Sequence, residues 1–502
     1  MAKKTFELET LQMRLADSEF ASLDLHQRIQ RALRALILEG SLSAGLKLPA
    51  TRVLARSLGV ARDTVENAYV QLQRDGYINR RGGAGSYVAQ TLGSELHGAA
   101  RRRMQQRDAR RAQAATQAAG LSQRGQQILA SGGIHDQQAV KAFATGLPET
   151  RSFPTETWER LQRQVMKDYR GNVLLHGDPQ GAELLRKAIA TYLNLERGAN
   201  CKPEQILVLS STRQALFLCA QLLVDAGKPI LLENPGYFGA KKAFEAAEAK
   251  VVPIDVDEQG VRIDLLRADR SAANCLYVTP SHQYPTGATL PLARRLELLG
   301  WAAEHGKWII EDDYDSEFHY DGLPTACMQG LDRYQRTIYL GTFSKTLFPG
   351  LRMGYMILPE QLVQPFACAR SIIDGHTPQI LQLTLARFME DGHYNAHVRA
   401  MRKLYSRRRL YMLDAIARHL SGIATALHPQ GGLQIPCLLE AGWSEQDTIR
   451  VAASAGVQLP GLSRLYAGEH KQQGWLLGYS SLTEHEIETA MSRLAMALKS
   501  GG

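Results

Sequence analysis

Residues 337–355 read TIYLGTFSKTLFPGLRMGY, and the order of residue types in this stretch decides the fold. The apolar run at its start predicts a buried strand, and Lys345 lies just beyond the end of that strand. In α/β sheets, reactive and ligand-binding side chains gather where strands end in loops. The stretch therefore predicts a lysine placed for covalent chemistry.

The same pattern of a strand followed by a helix recurs through residues 139–500, which we predict to form one large module. The apolar runs QILVLSS, PILLENP, NCLYVTPS and WIIEDDYD each end in polar residues, and stretches with helical periodicity separate them. Such alternation predicts an α/β fold with a mostly parallel sheet covered by helices.

Residues 22–90 carry a different pattern, which predicts a small helical module ending in a hairpin. LHQRIQRALRALILEG is an amphipathic helix with its apolar residues on one face. TRVLARSLGV and ARDTVENAYVQLQRDGY then predict two short helices joined at LGV, which is the helix-turn-helix arrangement. GYINRRGGAGSYVA predicts two short strands around a glycine-rich tip, and we interpret this hairpin as a wing.

The second helix of this pair separates apolar from polar residues. Its remaining polar side chains, opposite the apolar stripe or at the helix start, are candidates for contact with DNA: Arg62, Asp63, Thr64 and Asn67. Because the first turn of a recognition helix meets base edges, Arg62 is predicted to pair with a guanine. Arg80 and Arg81 of the wing are expected to lie along a phosphate track. The helix pair alone also suits a small helical subdomain, but the complete order with the hairpin favours DNA binding.

This order resembles the winged helix of the GntR family, in which LP-[ST]-x-R-x-LA and GVxRxTVxxAYxxLxxxGY precede a glycine-rich wing. The present sequence has LPATRVLA, GVARDTVENAYVQLQRDGY and RRGGAGSYV. The resemblance implies DNA contacts at Thr51, Arg52, Arg62, Thr64, Gly83 and Gly85. Glu66 departs from the pattern, since some relatives carry a basic residue there.

Residues 91–138 separate the two modules and are rich in alanine, glutamine and arginine. Within residues 101–111 there are six arginines against one acid, Asp108. Two interpretations stay open: a solvated, partly helical linker, and a linker whose basic stretch also binds DNA phosphates.

The overall composition narrows the protein class further. The chain has 502 residues, which is long for one core, and a net charge of +9, which favours an anionic partner. Its six cysteines lie far apart and match neither a disulfide framework nor a zinc site, and we predict no metal. We find no signal-peptide core and no run of ~18 apolar residues, so we expect a cytoplasmic protein.

Residues at the predicted strand ends match the requirements of pyridoxal phosphate chemistry. A lysine must form an imine with the aldehyde, an acid must keep the pyridine nitrogen protonated, and a hydroxyl should bind the 3′-oxygen. Lys345 supplies the amine. In EDDYDSEF, Asp312 or Asp313 supplies the acid and Tyr314 supplies the hydroxyl.

The remaining requirements are a phosphate cup and a stacking ring. SSTRQAL is a strand end followed by a helix start, whose N–H groups bind anions. We predict that the cup consists of Ser211, Thr212, Arg213 and Gln214, with Thr342, Ser344 and Arg352 as further donors. ENPGYFG offers Tyr237 for stacking, and TPSHQYPTG supplies a loop under the ring with His282 and Tyr284.

Together these elements resemble the fold type I aminotransferases and, above all, the MocR family of transcriptional regulators, in which such a domain follows a GntR winged helix. TPSHQYPTG, EDDYDSEF, TFSKTLFPGLRMGY and HPQGGLQI carry the resemblance. It implies a large domain that binds pyridoxal 5′-phosphate and a small α+β C-terminal domain. It also implies that Lys345 is the Schiff-base lysine, Asp312 the pyridine partner, Tyr314 the 3′-oxygen partner and Tyr237 the stacking ring.

Three positions depart from the aminotransferase pattern. Aminotransferases and some MocR regulators bind an α-carboxylate through an arginine in a strand like RLGF, whereas WLLGYSS places Leu476 there. Gly239 stands where a regulator sensing γ-aminobutyrate is expected to carry an arginine, and Tyr284 replaces the asparagine of many aminotransferases. Three arginines stay open as substitutes for the missing one: Arg464, Arg213 and Arg370.

Three functions follow from these features. The first is a transcriptional regulator that senses an amine, an amino acid or pyridoxal phosphate itself through Lys345, without physiological turnover. The second is a working aminotransferase with an accessory DNA-binding domain, and the third is a scaffold whose lysine stays empty. The winged helix and Leu476 disfavour the second, and the cofactor set disfavours the third. The resemblance implies a head-to-tail, domain-swapped homodimer, and two DNA-binding heads predict an operator with paired half-sites.

Overall fold

The computed structural model describes Phe6 and residues 8–15, 23–39, 41–81, 85–89, 120–134, 141–269, 271–321, 325–468 and 471–500. The chain divides into two compact units, residues 1–121 and 122–502. None of the helices in the described part combines the length and apolar character needed to cross a bilayer.

The N-terminal unit is a small helical module with a two-stranded hairpin, as predicted. Its elements are α1 (Leu8–Leu15), α2 (Leu25–Leu38), α3 (Thr51–Leu58), α4 (Arg62–Arg74), β1 (Ile78–Arg81) and β2 (Gly85–Val88). The two strands pair antiparallel, with Ile78 opposite Val88. The apolar faces of the helices share one core in which Ile29, Val65 and Tyr69 are fully buried.

The turn between α3 and α4 lies at LGV, where the sequence predicts that the two helices are joined. Gly59 has a φ of 66°, in the left-handed region that favours glycine, and its N–H donates to the carbonyl of Arg56. The N–H of Val60 donates to the carbonyl of Ala55. The turn therefore satisfies the end of α3 and turns the chain directly into α4.

The larger unit contains an α/β body and a small C-terminal layer. Its helices are α5 (Gln123–Ala130), α6 (Thr155–Tyr169), α7 (Glu183–Glu196), α8 (Thr212–Leu223), α9 (Phe238–Ala246), α10 (Ile263–Ala268), α11 (Leu292–Glu304), α12 (Met328–Leu331), α13 (Glu360–Ile373), α14 (Gln379–Glu390), α15 (His393–His419), α16 (Glu445–Ser454) and α17 (Glu484–Ser500). Its strands are β3 (Ile206–Leu209), β4 (Pro229–Asn234), β5 (Lys250–Asp257), β6 (Gly260–Val261), β7 (Cys275–Val278), β8 (Trp308–Asp313), β9 (Thr337–Thr342), β10 (Gly354–Ile357), β11 (Ala424–Ala426), β12 (Gln434–Leu439) and β13 (Gly474–Gly478). Short 3-10 turns lie at Arg170–Leu174, Pro203–Gln205, Pro349–Leu351 and Ser463–Leu465.

The main sheet is mostly parallel, which confirms the sequence prediction. Its eight strands lie in the order β3-β10-β9-β8-β7-β4-β5-β6. Strands β9, β8, β7, β4 and β5 run parallel, whereas β10 is antiparallel to both of its neighbours. Central strands such as β7 and β9 are buried along their whole length, because helices cover both faces. The carboxyl ends of the parallel strands consequently meet at one edge of the sheet.

The C-terminal layer is the small α+β domain that the resemblance implied. Strands β11, β12 and β13 form an antiparallel sheet, and residues of α15, α16 and α17 pack on it in one apolar cluster. Trp475 of β13 and Tyr405 of α15 are fully buried in this cluster.

Part of the predicted linker belongs to the larger unit. Arg124 of α5 forms an ion pair with Glu248 at 2.5 Å, and Lys242 donates to the carbonyl of Ser131. Residues 90–119, which include the arginine-rich stretch, lie outside the described residues. Whether that stretch contacts DNA stays a prediction.

Candidate cofactor site and nucleic-acid interface

Lys345 lies just beyond the end of β9 and is partly buried. Its Nζ donates a hydrogen bond to the carbonyl oxygen of Gly146 at 2.7 Å. Gly146 has a φ of 66°, and a Cβ at this position would lie 2.5 Å from Nζ. The backbone conformation therefore favours glycine here, and a side chain at this position would displace the end of the lysine. No motif in the sequence pointed to Gly146, because it meets the lysine only through the fold.

Asp312 lies at the carboxyl end of β8 and is 3% exposed. Its Oδ2 accepts a hydrogen bond from the Tyr277 hydroxyl at 2.7 Å, while Oδ1 is buried without a partner among the described residues. Burial raises the pKa of Asp312 to about 7; the Tyr277 hydroxyl opposes the rise, and the charge of Asp313 adds to it. A protonated ring nitrogen would supply the missing donor and the missing charge at Oδ1.

Asp313, the next residue, is bound to the protein itself through Oδ2, while its Oδ1, like that of Asp312, is buried without a hydrogen-bond partner among the described residues. Its Oδ2 lies 2.9 Å from Nη2 of Arg197 and accepts a hydrogen bond from the Tyr339 hydroxyl at 2.7 Å. Burial opposes its ionisation, but the Arg197 charge and the Tyr339 hydroxyl outweigh burial and lower the pKa of Asp313. Of the two aspartates that the sequence offered, these contacts favour Asp312 as the cofactor partner.

Three tyrosine rings line the neighbouring strand ends. The rings of Tyr237 and Tyr284 lie 5.5 Å apart at 77°, and those of Tyr284 and Tyr314 lie 6.1 Å apart at 78°. The Tyr314 hydroxyl donates to the carbonyl of His282 at 3.1 Å. The fold thus gathers the predicted stacking ring, the predicted 3′-oxygen partner and Tyr284 into one row.

His282, predicted to lie in a loop under the ring, makes close contacts with neighbouring side chains. Its Nδ1 lies 2.8 Å from Oδ1 of Asp315, and its ring stacks on His319 at 6.0 Å. A Cβ on Gly431 would lie 2.3 Å from Nε2, so the backbone of Gly431 closes the other side. The ring of His282 therefore supports the segment after β8, and a cofactor contact from it stays a prediction.

The predicted phosphate cup is a helix N-terminus at the end of β3. Helix α8 begins at Thr212, and the Ser211 side chain caps it by accepting from the N–H of Gln214 at 3.2 Å. The Gln214 amide is itself bound to Ser210 and, through Nε2, to Asp374 at 3.0 Å. Ser211 and Gln214 thus shape the cup, while the start of α8 keeps the positive end of its dipole at this edge.

The sheet order brings the other phosphate candidates to the same place. Strand β10 lies between β3 and β9, and its first residue, Gly354, is opposite both Leu209 and Thr342. A Cβ on Gly354 would lie 3.5 Å from the backbone nitrogen of Thr212. Thr342 accepts from the N–H of Ser344 at 3.1 Å, and Arg352, just before β10, is exposed with a φ of 51°. The backbone thus brings Thr342, the start of α8 and residue 352 to the same edge of the sheet.

These residues fit pyridoxal 5′-phosphate. The unpartnered Oδ1 of Asp312 suits the ring nitrogen, the start of α8 with Arg352 suits the phosphate, and Lys345 suits the aldehyde carbon. When bound, this cofactor supplies an aldehyde that takes up an amine and a ring that withdraws electrons. The individual contacts of the chain with it stay predictions.

Two of the three departing positions, Leu476 and Gly239, are tightly packed in this structure. Leu476 is 1% exposed and packs with Leu462, Leu465 and Tyr284 in one apolar cluster. A Cβ on Gly239 would lie 2.3 Å from the ring of Tyr237. A longer side chain at residue 239 would therefore displace Tyr237.

The three arginines left open as substitutes differ in their surroundings. Arg370 is fully buried, donates to the Thr377 hydroxyl at 3.1 Å and pairs with Asp374. Burial lowers the pKa of Arg370 to about 10. Arg213 lies in the first turn of α8, and Arg464 is exposed in the 3-10 turn Ser463–Leu465. Only Arg464 has a charge that acts on the Tyr284 hydroxyl.

The candidate DNA surface is the exposed side of α3 and α4. Thr51 and Arg52 begin α3; Arg62, Asp63 and Thr64 form the first turn of α4, and Asn67 follows on the same exposed side. Arg52 and Arg62 make no ion pair within the described residues. Gly83 and the side chain of Arg81 lie outside the described residues, and Gly85 begins β2. Base and phosphate contacts of this set stay predictions.

Arg80, which is expected to lie along a phosphate track, forms an ion pair within the N-terminal unit. Its Nη1 lies 2.6 Å from Oε1 of Glu66, with both side chains about one-third exposed. The hydrogen bond from Arg80 lowers the pKa of Glu66, and a hydrogen bond with Thr51 adds to the effect. The residue that departs from the GntR pattern therefore ties α3 and the wing to α4.

Lys47 is a candidate that the sequence analysis missed. It is exposed, it pairs through an isolated bridge with Tyr87 of the wing, and its Nζ lies 5.7 Å from the Tyr87 ring centroid. The signal for it was its position in LKLP, directly before the GntR motif. A cation beside the wing suits contact with phosphate.

Comparison with protein families matches both units. The aminotransferase class I and II family matches residues 144–492, and the family of bacterial regulatory proteins, gntR family, matches residues 25–88. The chain is 36% identical over 490 residues to the probable rhizopine catabolism regulatory protein MocR of Rhizobium meliloti, covering 96% of each chain. It is 29% identical to the pyridoxine biosynthesis transcriptional regulator PdxR of Corynebacterium glutamicum, covering 94% of this chain and 96% of that one.

A solved structure similar to the larger unit holds a cofactor adduct. LysN, an α-aminoadipate aminotransferase from Thermus thermophilus complexed with N-(5′-phosphopyridoxyl)-L-leucine, is 28% identical with a TM-score of 0.67. The match covers 72% of this chain and 93% of LysN.

Proposed function

The chain belongs to the class I and II aminotransferase family and, through its N-terminal unit, to the gntR family of bacterial regulators, and on this basis we propose that it senses an effector through Lys345. It is a transcriptional regulator of the MocR type with a DNA-binding N-terminal unit and pyridoxal 5′-phosphate as its cofactor. The sensed molecule is an amine, an amino acid or pyridoxal phosphate itself.

The buried Oδ1 of Asp312 carries this proposal. It has no donor among the described residues, so the site is organised for a cationic ring nitrogen beside Lys345. The same chain exposes Arg62 on the helix that is predicted to read DNA. The two features together support a cofactor-dependent regulator. Binding at Lys345 changes operator affinity only if the effector has different affinity for two arrangements of the protein.

A genuine aminotransferase with an accessory DNA-binding domain is the second candidate. The lysine, the acid and the helix-start cup are all present, which favours it. Leu476 and Gly239 count against it, because a bidentate carboxylate grip orients an amino acid for turnover. We therefore propose sensing without physiological turnover.

We further propose that the protein acts as a homodimer. Large apolar side chains stand exposed beside the site: Leu174, Leu175 and Ile372 are 69%, 68% and 84% exposed. The segments that carry them meet where the rings of His176 and His376 stack edge-on at 5.8 Å. An apolar patch of this kind suits a second copy of the chain. A head-to-tail, domain-swapped pair would present two DNA-binding heads to paired half-sites, in the cytoplasm where the operator lies.

The experiment uses the full chain loaded with pyridoxal phosphate and an operator that the protein itself selects from random DNA. Amines, amino acids and free pyridoxal phosphate are screened for a shift of the cofactor absorbance band and for a changed footprint on that operator. A ligand that changes both supports the sensor. Steady formation of a keto acid from an amino acid, with an unchanged footprint, overturns it in favour of the enzyme.

A further inference from the structure

The side of the cofactor site behind Tyr284 is apolar. We name this surface the leucine wall, and its members are Leu438, Leu462, Leu465 and Leu476. Tyr284 packs against it, and the carbonyl of Leu465 accepts from the N–H of Gly236, the residue before Tyr237. The wall therefore borders the ring of Tyr284, one of the three rings that line the site.

Strand β13 places Leu476 on the side of the site that also holds Lys345. Side chains of Leu476 and residue 478 share one face of the strand, because alternate residues point the same way. The N–H of Gly478 donates to the carbonyl of Phe143 at 3.1 Å, and a Cβ on Gly478 would lie 1.9 Å from the Ala144 oxygen. This face thus lies against the segment that reaches Gly146, the residue whose carbonyl holds the lysine.

The leucine wall is held rigidly in place. The Glu445 carboxylate accepts three backbone N–H bonds, from Leu462 at 3.1 Å, Ser463 at 3.0 Å and Gly474 at 3.0 Å. It also accepts from the Ser463 hydroxyl at 2.6 Å. A buried carboxylate with four donors fixes the turn that carries Leu462 and Leu465, so the wall does not open easily to admit water.

A carboxylate held against this wall would lose its water without gaining a partner. Burying an unpaired carboxylate is strongly unfavourable. Arg464, whose charge acts on the Tyr284 hydroxyl, is exposed, and exposed ion pairs contribute little. The wall therefore selects against an anionic substituent next to the reacting amine.

The other side of the site is also unfavourable to an anion. The Tyr314 hydroxyl lies in the field of buried carboxylates: burial raises its pKa, and the charges of Asp315, Asp312 and Glu233 raise it further. A carboxylate near the Tyr314 ring would meet repulsion from Asp315, whereas Asp312 is the proposed partner of the cationic ring nitrogen. Neither side of the site offers a buried cation to an effector in the described residues, apart from the lysine and the phosphate donors at the start of α8.

Resting on the proposed function, we propose that the effector is a primary amine whose amine-bearing carbon carries no carboxylate. The substituent that meets the leucine wall is neutral or apolar. Ordinary α-amino acids are accordingly poor effectors, and the amines that correspond to them without the carboxylate are better ones.

The test uses matched pairs on the full-length holoprotein: phenylalanine with phenethylamine, and leucine with isopentylamine. Each compound is titrated while the cofactor absorbance band is followed, and the half-maximal concentration of the amino acid is divided by that of its matched amine. This ratio is then divided by the same ratio for pyridoxal phosphate free in solution, which removes the intrinsic reactivity of the two compounds and gives the corrected ratio. We expect the carboxylate-free member to act at a roughly tenfold lower concentration, the factor of an ion left about 1.4 kcal/mol short of compensation. A corrected ratio of one or below overturns the inference.

Substitutions test which residue determines the preference for carboxylate-free amines. Leu476→Arg supplies the missing cation and should shift the corrected ratio toward the amino acids, whereas Leu195→Arg, an arginine at a residue 75% exposed on α7, should leave it unchanged. Equal ratios in Leu476→Arg and the parent overturn the inference. Loss of the amino-acid response in Arg464→Ala overturns it too, since Arg464 would then be the carboxylate grip.

Failure of this inference is distinguishable from failure of the proposed function. A parent protein that forms the cofactor band and changes its operator footprint with amino acids keeps the proposed function and loses the inference. A parent that forms no band with pyridoxal phosphate loses both. The parent measurements also stand without Leu476→Arg, should that buried substitution impair folding.

Discussion

The two units of this chain place their working side chains in opposite environments. Arg62 and Asn67 stand exposed above a core that contains Val65 and Tyr69, so the DNA surface and the core are different faces of one helix. Asp312, the proposed cofactor partner, is by contrast 3% exposed and lies inside the core itself. DNA is bound by side chains on the protein surface, whereas the ring nitrogen of a cofactor is bound by a side chain that is shielded from water. In the first unit, substitutions at the DNA surface should therefore change binding without changing stability. In the second unit, substitutions at the cofactor site should change both.

The largest expected effect is at the lysine. Lys345→Ala removes the amine that Gly146 holds, so we expect complete loss of the cofactor absorbance band while operator binding survives. Lys187→Ala, which removes a lysine 54% exposed on α7, is the control and should keep the band. A band of parental intensity in Lys345→Ala would show that another amine anchors the cofactor.

The next largest effect separates the two adjacent aspartates. Asp313→Asn leaves the buried Arg197 charge unpaired, so we expect a loss of about 3–5 kcal/mol of stability, read as a large fall in Tm. Asp312→Asn should instead lower cofactor affinity with a smaller change in Tm, since Oδ1 of Asp312 has no hydrogen-bond partner among the described residues. The exposed pair Arg262–Asp264 supplies the control, because Asp264→Asn should leave Tm within error. Equal Tm values for Asp313→Asn and the parent would contradict the assignment.

In the DNA-binding unit, a substitution on the exposed surface should change operator binding without changing stability. Arg62→Ala should weaken operator binding ~tenfold and blur sequence preference, with Tm and cofactor band unchanged. Arg74→Ala, in the last turn of the same helix, is the matched control. Operator affinity equal to that of the parent would remove Arg62 as a base reader.

Burial of Asp312 also predicts a pH dependence. Its pKa rises from 3.8 to about 7 in the folded, cofactor-free chain, so the folded state holds a proton that the unfolded state has released. The stability from this group therefore falls as pH rises between those values, by at most about 1.4 kcal/mol per pH unit. We expect the Tm of the parent relative to Asp312→Asn to fall from about pH 5 to about pH 7. A difference that stays flat or rises over this range would contradict the raised pKa.

The smallest expected effect concerns the wing. Glu66→Gln releases Arg80 from its ion pair, so the arginine becomes available to a phosphate. We expect the slope of log affinity against log salt to steepen by about one, with a modest gain in affinity for non-specific DNA. Asp75→Asn, at the C-terminal end of α4, controls for the lost negative charge. An unchanged slope would mean that Arg80 stays away from the DNA.

Sequence patterns predicted most of the architecture because those patterns are local. The strand at TIYLG, the helix at TRQALFLC and the joint at LGV each depend on neighbouring residues, and the structure confirms all three. The site depends on long-range contacts that no local pattern encodes. Gly146 meets Lys345 across 199 residues, and Arg197, which separates the roles of Asp312 and Asp313, reaches across 116. The pairing of Glu66 with Arg80 likewise needed the wing in place.

The central claim is that occupancy at Lys345 alters DNA binding. Its most direct test is the operator affinity of the full-length protein, measured at fixed salt with pyridoxal phosphate alone and with an added effector amine, in the parent and in Lys345→Ala. The account predicts a change of at least about fivefold in the parent, the lower end of typical coupling between sites, and none in Lys345→Ala. An operator affinity that stays the same in the parent under every condition, while the cofactor band shifts, would contradict it.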